Sequence, residues 1–175
     1  QAGKTDEAGA YKKKLPLYVA GGVMEGGRKL EHLVRYSGCI VIDIDDSPVP
    51  VSELLLRAAA LPYVKAGHGS PSGTGAKFFV LVDSDLKDHD SAFGVVSRHI
   101  EADLPGVKVD ISGKDPNRGC FVSHDPSAFY KEESEVVGIP VAAPELQAAC
   151  GYPSGGVYAG TRLSNYFDKY EQNNA

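Results

Sequence analysis

Two aspartates interrupt an apolar run at Cys39-Ile40-Val41-Ile42-Asp43-Ile44-Asp45. The β-branched residues before them predict a central strand. Alternation along a strand puts Asp43 and Asp45 on one face with Val41, and Ile40, Ile42 and Ile44 on the other. If the isoleucines lie under helices, both carboxylates stand on the open face, about 7 Å apart along the strand. Like charges that close repel unless a cation sits between them. Mg²⁺ or Mn²⁺ is the economical choice, because both prefer oxygen ligands and commonly use a few carboxylates. A plainer reading makes Asp45-Asp46-Ser47 a turn before the next helix. That reading leaves Asp43, still inside the apolar strand, unexplained.

A second segment, Ser70-Pro71-Ser72-Gly73-Thr74-Gly75-Ala76-Lys77, interleaves hydroxyl residues with glycines. Gly73 and Gly75 let backbone N–H groups approach an anion, Ser70 and Ser72 add hydroxyls, and Lys77 adds charge. It is not a Walker A loop, since Ala76 separates Gly75 from Lys77 and Phe78-Phe79-Val80-Leu81-Val82 continues as a strand. An ordinary Gly-rich hairpin turn fits the segment equally well. The third element is Val107-Lys108-Val109-Asp110-Ile111-Ser112, whose alternation predicts a strand carrying Asp110 on its polar face. Arg118 follows as a bidentate phosphate contact or a plain surface arginine. The five histidines show no HxxxH spacing, and no GxSxG or Cys/His nucleophile pair stands out.

The elements that must position these residues follow from periodicity and breakers. Strands are expected at Leu15–Ala20, Cys39–Asp45, Tyr63–His68, Ala76–Val82, Val107–Ile111 and Gly119–Ser123. Helices are expected at Arg28–Tyr36, at Val51–Leu61 before Pro62, and at Asp90–Leu104 before Pro105-Gly106. From Cys39 onward this order reads as α+β: a ferredoxin-like or RRM-like split βαβ antiparallel sheet with two helices on one face, plus an N-terminal strand-turn extension. In that topology the first strand lies between the third and the fourth. Its C-terminal end, with Asp43 and Asp45, then meets Lys77 on one side and Asp110 on the other. Three carboxylates and a phosphate-sized cradle converge.

The chain has 175 residues, 42% of them hydrophobic, which suffices for one domain with a real core. Residues 1–10 read as a disordered arm, 11–138 as the α+β domain, and 139–175 as a Pro/Gly-rich linker. A helical tail at Thr161–Gln172 would lead to a further module. Lys12-Lys13-Lys14 reads as a solvated run. A net charge of -5 excludes a generally basic, nucleic-acid-coating protein but not a local basic groove. No apolar run is long enough to cross a membrane. Cys39, Cys120 and Cys150, an odd and widely spaced set without a CxxC, suit reduced thiols and a cytoplasmic location. The start at Gln1 suggests a piece of a longer protein.

Taken together, Tyr36 to Asp45, Ser70 to Lys77, Asp110, Arg118 and His124-Asp125-Pro126 resemble the VirE-type N-terminal domain. That domain occurs in proteins of bacterial chromosomes and mobile elements, often ahead of a helicase-like ATPase. Its pattern is in turn similar to the archaeo-eukaryotic primase superfamily, which includes the primase-polymerases. The resemblance spans roughly Leu15 to Tyr130. It implies nucleotidyl transfer on a nucleic-acid template from nucleoside triphosphates, with Asp43, Asp45 and Asp110 as catalytic metal ligands for two Mg²⁺ or Mn²⁺ ions. Lys77 stands where primases carry a histidine beside the triphosphate. Lysine binds phosphate as a point charge but does not reproduce imidazole geometry. Two alternatives stay open: a catalytically idle nucleic-acid or nucleotide-binding module attached to a helicase, and a metal-dependent nuclease.

Overall fold

The structure, a computed structural model, describes residues 9–139. Nine short strands run through it: β1 (Leu17–Val19), β2 (Gly22–Met24), β3 (Leu33–Tyr36), β4 (Cys39–Ile44), β5 (Val64–Gly69), β6 (Ala76–Asp83), β7 (Gly119–Phe121), β8 (Phe129–Tyr130) and β9 (Val137–Gly138). Two α-helices join them, α1 (Val51–Ala59) and α2 (His89–Asp103). The class is α+β, as the sequence pattern predicts. The main sheet has the order β4-β6-β5-β8, all antiparallel, and β9 adds a short parallel pairing to the end of β6.

The face predicted to lie under the helices is buried. Ile40, Ile42 and Ile44 of β4 and Phe78 and Val80 of β6 are fully buried. They share one core with Leu54, Leu55 and Ala58 of α1 and Ala92, Phe93, Val96 and Ile100 of α2. Both helices therefore stack on one face of the sheet through apolar residues at helical spacing. Burial of a side chain the size of Leu or Ile contributes on the order of 2 kcal/mol, so this layer is what fixes the register of β4.

The opposite face of the sheet differs from expectation. It is not open, because Cys39, Val41 and Asp43 are buried as well. An antiparallel ribbon of β1 and β7 lies over it, with Tyr18 against the rings of His68 and Phe79. The β1–β7 ribbon thus covers part of this face of the sheet.

Two predicted elements are replaced. The helix expected at Arg28–Tyr36 is a 3-10 turn at Leu30–His32 followed by strand β3. Leu33, Val34 and Tyr36 favour a strand, and β2 supplies a partner that local periodicity does not reveal. The strand expected at Val107–Ile111 does not form. One backbone bond, Asp110 N–H to the Asp43 carbonyl at 2.9 Å, holds this segment beside β4. The chain then turns into a 3-10 helix at Ile111–Gly113, capped by the Asp110 carboxylate, and Ile111 is left 75% exposed. The cap offers the backbone an alternative to the ladder, and it wins because Ile111 has no core to reach. The predicted strand at Gly119–Ser123 forms as β7, paired with β1 rather than with the main sheet. The expected arm at residues 1–10 lies largely outside the described residues, and the linker and helical tail lie almost entirely outside them.

Candidate functional site

Register alone brings the first charged pair together. Asp43 on β4 lies directly across from Lys77 on β6, and Lys77 lies across from His68 on β5. Both Asp43 and Lys77 are buried, and the Lys77 ammonium donates to Asp43 Oδ2. A lone buried charge of either sign would cost several kcal/mol, so each is the condition for the other. Asp45 sits just past the end of β4 and is exposed.

Asp110 reaches the same place by a different route. Its backbone bond to Asp43 fixes its distance from β4, and its carboxylate accepts from the Ser112 N–H at 2.9 Å and the Ser112 hydroxyl at 2.6 Å. The Ser112 hydroxyl is the largest cause holding this carboxyl below the usual carboxylate range, against partial burial. The Ser112 N–H and the charges of Arg118 and Lys77 add to it. Arg118 Nη2 lies 3.8 Å from Asp110 Oδ2 and 4.0 Å from Asp43 Oδ2, while Nη1 donates to the Ser112 carbonyl at 3.2 Å. Asp43, Asp45 and Asp110 each offer an oxygen, and these oxygens all lie within 4.8 Å of one another. Sequence reasoning placed this triad correctly in space, although it assigned Asp110 to a strand that does not exist.

The hydroxyl loop closes one side. A Cβ on Gly75 would lie 2.1 Å from the Ile44 carbonyl oxygen and 2.7 Å from that of Asp45. Only glycine lets the loop lie this close to the end of β4. Gly73 takes the left-handed backbone that its turn requires, with φ +78. The hydroxyls bond mainly among themselves: Ser70 Oγ to Ser72 Oγ at 2.7 Å, and Ser72 Oγ to Thr74 Oγ1 at 3.3 Å. The loop N–H groups turn inward as well, Gly73 to the Ser70 carbonyl and Gly75 to Ser70 Oγ.

Together these parts line an open groove of about 700 Å³, with Asp43, Asp45, Ser70, Ser72, Lys77 and Arg118 on its surface. Lys12, Arg28 and Lys29 also line it, and sequence reasoning missed all three as site residues. Lys12 belongs to the run read as solvated, and Arg28 opens the segment read as a helix. No local spacing signals either: Lys12 precedes β1, and Arg28 lies between β2 and β3, where Asn117, far along the chain, donates to its carbonyl. His68 and Asp125 serve as supports. The His68 ring bonds Tyr18 at 2.8 Å and the Gly69 carbonyl at 2.7 Å, and Asp125 accepts from the Gly69 N–H at 2.6 Å. His124 is exposed. Beneath the groove, burial raises the Cys120 thiol, and burial with Cys120 nearby pushes Cys39 up to about 12. Both are buried and free; Cys150 lies outside the described residues.

The model of the BT4734-like N-terminal domain matches residues 10–130, more than half of the chain. The chain belongs to the BT4734-like N-terminal domain family. The matched span contains the carboxylate triad, Lys77, Arg118 and the ribbon that covers them. No curated protein matches the chain, and no solved structure does. Among the described residues of this BT4734-like domain, no helix is long and apolar enough to cross a membrane.

Proposed function

We propose that this BT4734-like domain is a divalent-metal-dependent, primase- or polymerase-like nucleotidyltransferase that extends nucleic acid from nucleoside triphosphates. The observation that carries the reading is the convergence of three carboxylate oxygens within 4.8 Å, two of them, from Asp43 and Asp45, on a groove also lined by lysines and arginines. The chemistry of the donor set fits the metal: three hard oxygen ligands suit Mg²⁺ or Mn²⁺, and Lys77 and Arg118 offset part of the charge. Asp43, Asp45 and Asp110 would hold it. Bound there, it would polarise a phosphoryl oxygen and lower the pKa of an attacking hydroxyl.

The protein's own residues supply positioning. Arg118 orients Asp110 and Asp43, its Nη2 facing both carboxylates while Nη1 donates to the Ser112 carbonyl. Ser112 holds the Asp110 carboxyl below the usual carboxylate range and fixes its orientation. The strand order β4-β6-β5 supports the split βαβ reading, with the Asp110 segment lying where the fourth strand would run. A kinship with the VirE-type and primase families, and attachment to a helicase-like ATPase in a replication or mobile-element protein, belong to the same proposal.

One observation favours a second reading. Lys77 already satisfies one oxygen of Asp43, so a metal must compete with a built-in cation. A domain retaining that pair binds nucleotide or nucleic acid without turnover. Incubation with Mn²⁺, nucleoside triphosphates and a single-stranded template separates the readings. Template-dependent product that is lost in Asp43→Ala supports the transferase. Binding of metal and nucleotide with no product supports the idle module. Shortening of a labelled oligonucleotide without added triphosphate supports a nuclease.

A further inference from the structure

The loop that sequence reasoning assigned to phosphate has little left with which to hold one. Its lysine, Lys77, is buried against Asp43, and the Gly73 and Gly75 N–H groups are spent within the turn. A different part of the groove carries positive charge on Lys12, Arg28 and Lys29, of which Lys29 lies 3.7 Å from Glu31. Arg28 follows a turn in which Gly26 has φ +77, and Asn117 Nδ2 donates to its carbonyl at 2.8 Å, tying that turn to the segment before β7. Its guanidinium lies over the backbone of Gly119, where a Cβ would come within 2.3 Å of Arg28 Nη1. The missing side chain at Gly119 is what makes room for the arginine head. Among the described residues no carboxylate lies within 4.0 Å of Arg28. Arg118, the neighbour of Gly119 in the chain, turns its own fork toward Asp110 and Asp43. Lys12, Arg28, Lys29, Lys77 and Arg118 line the groove against Asp43, Asp45 and Asp115, so its surface carries excess positive charge.

We infer that Arg28, backed by Lys12 and Lys29 and adjoining Arg118, is the subsite for the polyphosphate tail of a single nucleotide. A guanidinium resting against glycine backbone through one nitrogen, with no carboxylate partner, can make charge-assisted contact with phosphate oxygens. A volume of about 700 Å³ is that of a small-molecule pocket, which favours one nucleotide over a length of polymer. The inference deepens the proposed function and rests on it for the nucleotide, but the anion site is testable without turnover.

Calorimetry with inorganic tripolyphosphate, and separately with a nucleoside triphosphate and the bare nucleoside, reads the subsite directly. Arg28→Ala changes an exposed side chain, and circular dichroism checks that the fold is kept. The expected result is about tenfold weaker binding of tripolyphosphate and of the triphosphate, with nucleoside affinity unchanged, as for loss of one charge-assisted contact. Unchanged tripolyphosphate affinity in Arg28→Ala overturns the inference, as does a wild-type protein that does not bind tripolyphosphate. Weakening confined to a single-stranded oligonucleotide also overturns it and assigns Arg28 to a nucleic-acid backbone. The two readings fail separately. Arg28-dependent tripolyphosphate binding without product formation leaves the subsite standing and removes the transferase. Product formation with an unchanged KM for the triphosphate in Arg28→Ala does the reverse.

Discussion

The carboxylates and the cations that share the groove are held by different parts of the molecule. Asp43 and Lys77 are embedded in the main sheet, where six consecutive register pairs between β4 and β6 and a layer of two helices fix them. Lys12, Arg28 and Lys29 come from the N-terminal extension, whose strands are three or four residues long and which meets the core through a few contacts such as Tyr18 on His68. The first region is positioned by burial and the second by draping. A metal site tolerates little displacement of its ligands, whereas an anion site built from long side chains adapts to its occupant. The division matches those demands, and it predicts that substitutions in the two regions fail in different ways.

The largest expected effect is at the buried pair. Asp43→Ala removes a metal ligand and strands the Lys77 ammonium in a buried site. Product formation is expected to fall about a hundredfold or more. Stability in urea is expected to drop by about 3–5 kcal/mol. The double variant Asp43→Ala/Lys77→Met separates the two losses: stability returns in large part because no charge is left unpaired, while activity does not. A double variant as unstable as the single one would mean that the pair is not what holds this end of the sheet.

Gly75→Ala tests whether the hydroxyl loop must touch β4. The added Cβ meets backbone oxygens of Ile44 and Asp45, neither of which can swing aside as a side chain would. A loss of about 1–3 kcal/mol is expected, as for overpacking, together with weaker Mn²⁺ binding as Asp45 shifts. Wild-type stability and Mn²⁺ affinity would show that the loop can lift without consequence.

What could be read from the chain follows the same division. The isoleucine face of β4 and the helix expected at Val51–Leu61 are local patterns, and both appear in the fold, the helix ending at Ala59. The meeting of Asp43, Asp45 and Asp110 was legible through topology. The conformation of Asp110 was not, because its own carboxylate caps the following turn by accepting from the Ser112 N–H, in competition with a strand ladder. Strand β3 was misread because three or four residues carry no periodicity, and only pairing with β2 makes them a strand. Arg28 was invisible for the same reason: its place depends on Gly119, about ninety residues further along the chain.

Asp45 offers the cleanest separation of function from fold. It is exposed and outside the strand ladder, so Asp45→Asn is expected to leave stability within about 0.5 kcal/mol of wild type. Mn²⁺ affinity, read by electron paramagnetic resonance, is expected to fall about tenfold through loss of one anionic ligand. Unchanged affinity would reduce the metal site to Asp43 and Asp110.

The smallest expected effect concerns the seam between the two regions. His89 is buried at the start of α2, where one ring nitrogen meets the Tyr36 hydroxyl of β3 at 2.7 Å and the other the Lys114 carbonyl at 2.8 Å. A carbonyl only accepts, so Nε2 carries the proton and Nδ1 accepts from Tyr36, which is the neutral ring. Burial lowers the pKa of His89, against weaker opposing pulls from the Lys114 carbonyl, Asp90 and Asp115. The sign follows: the unfolded chain takes up a proton near pH 6.5 that the folded chain resists. The stability contributed by the neutral ring is therefore full above that pH and declines as pH falls below it. Urea midpoints measured between pH 7.5 and 5 should drop toward acid, and His89→Gln, which cannot titrate, should flatten that slope. Asp90, paired with Lys114 at 2.7 Å, keeps its charge over this range because the Lys114 hydrogen bond lowers its pKa further, so it does not produce the slope. An unchanged slope in His89→Gln would place the pH sensitivity elsewhere and leave the seam as packing alone.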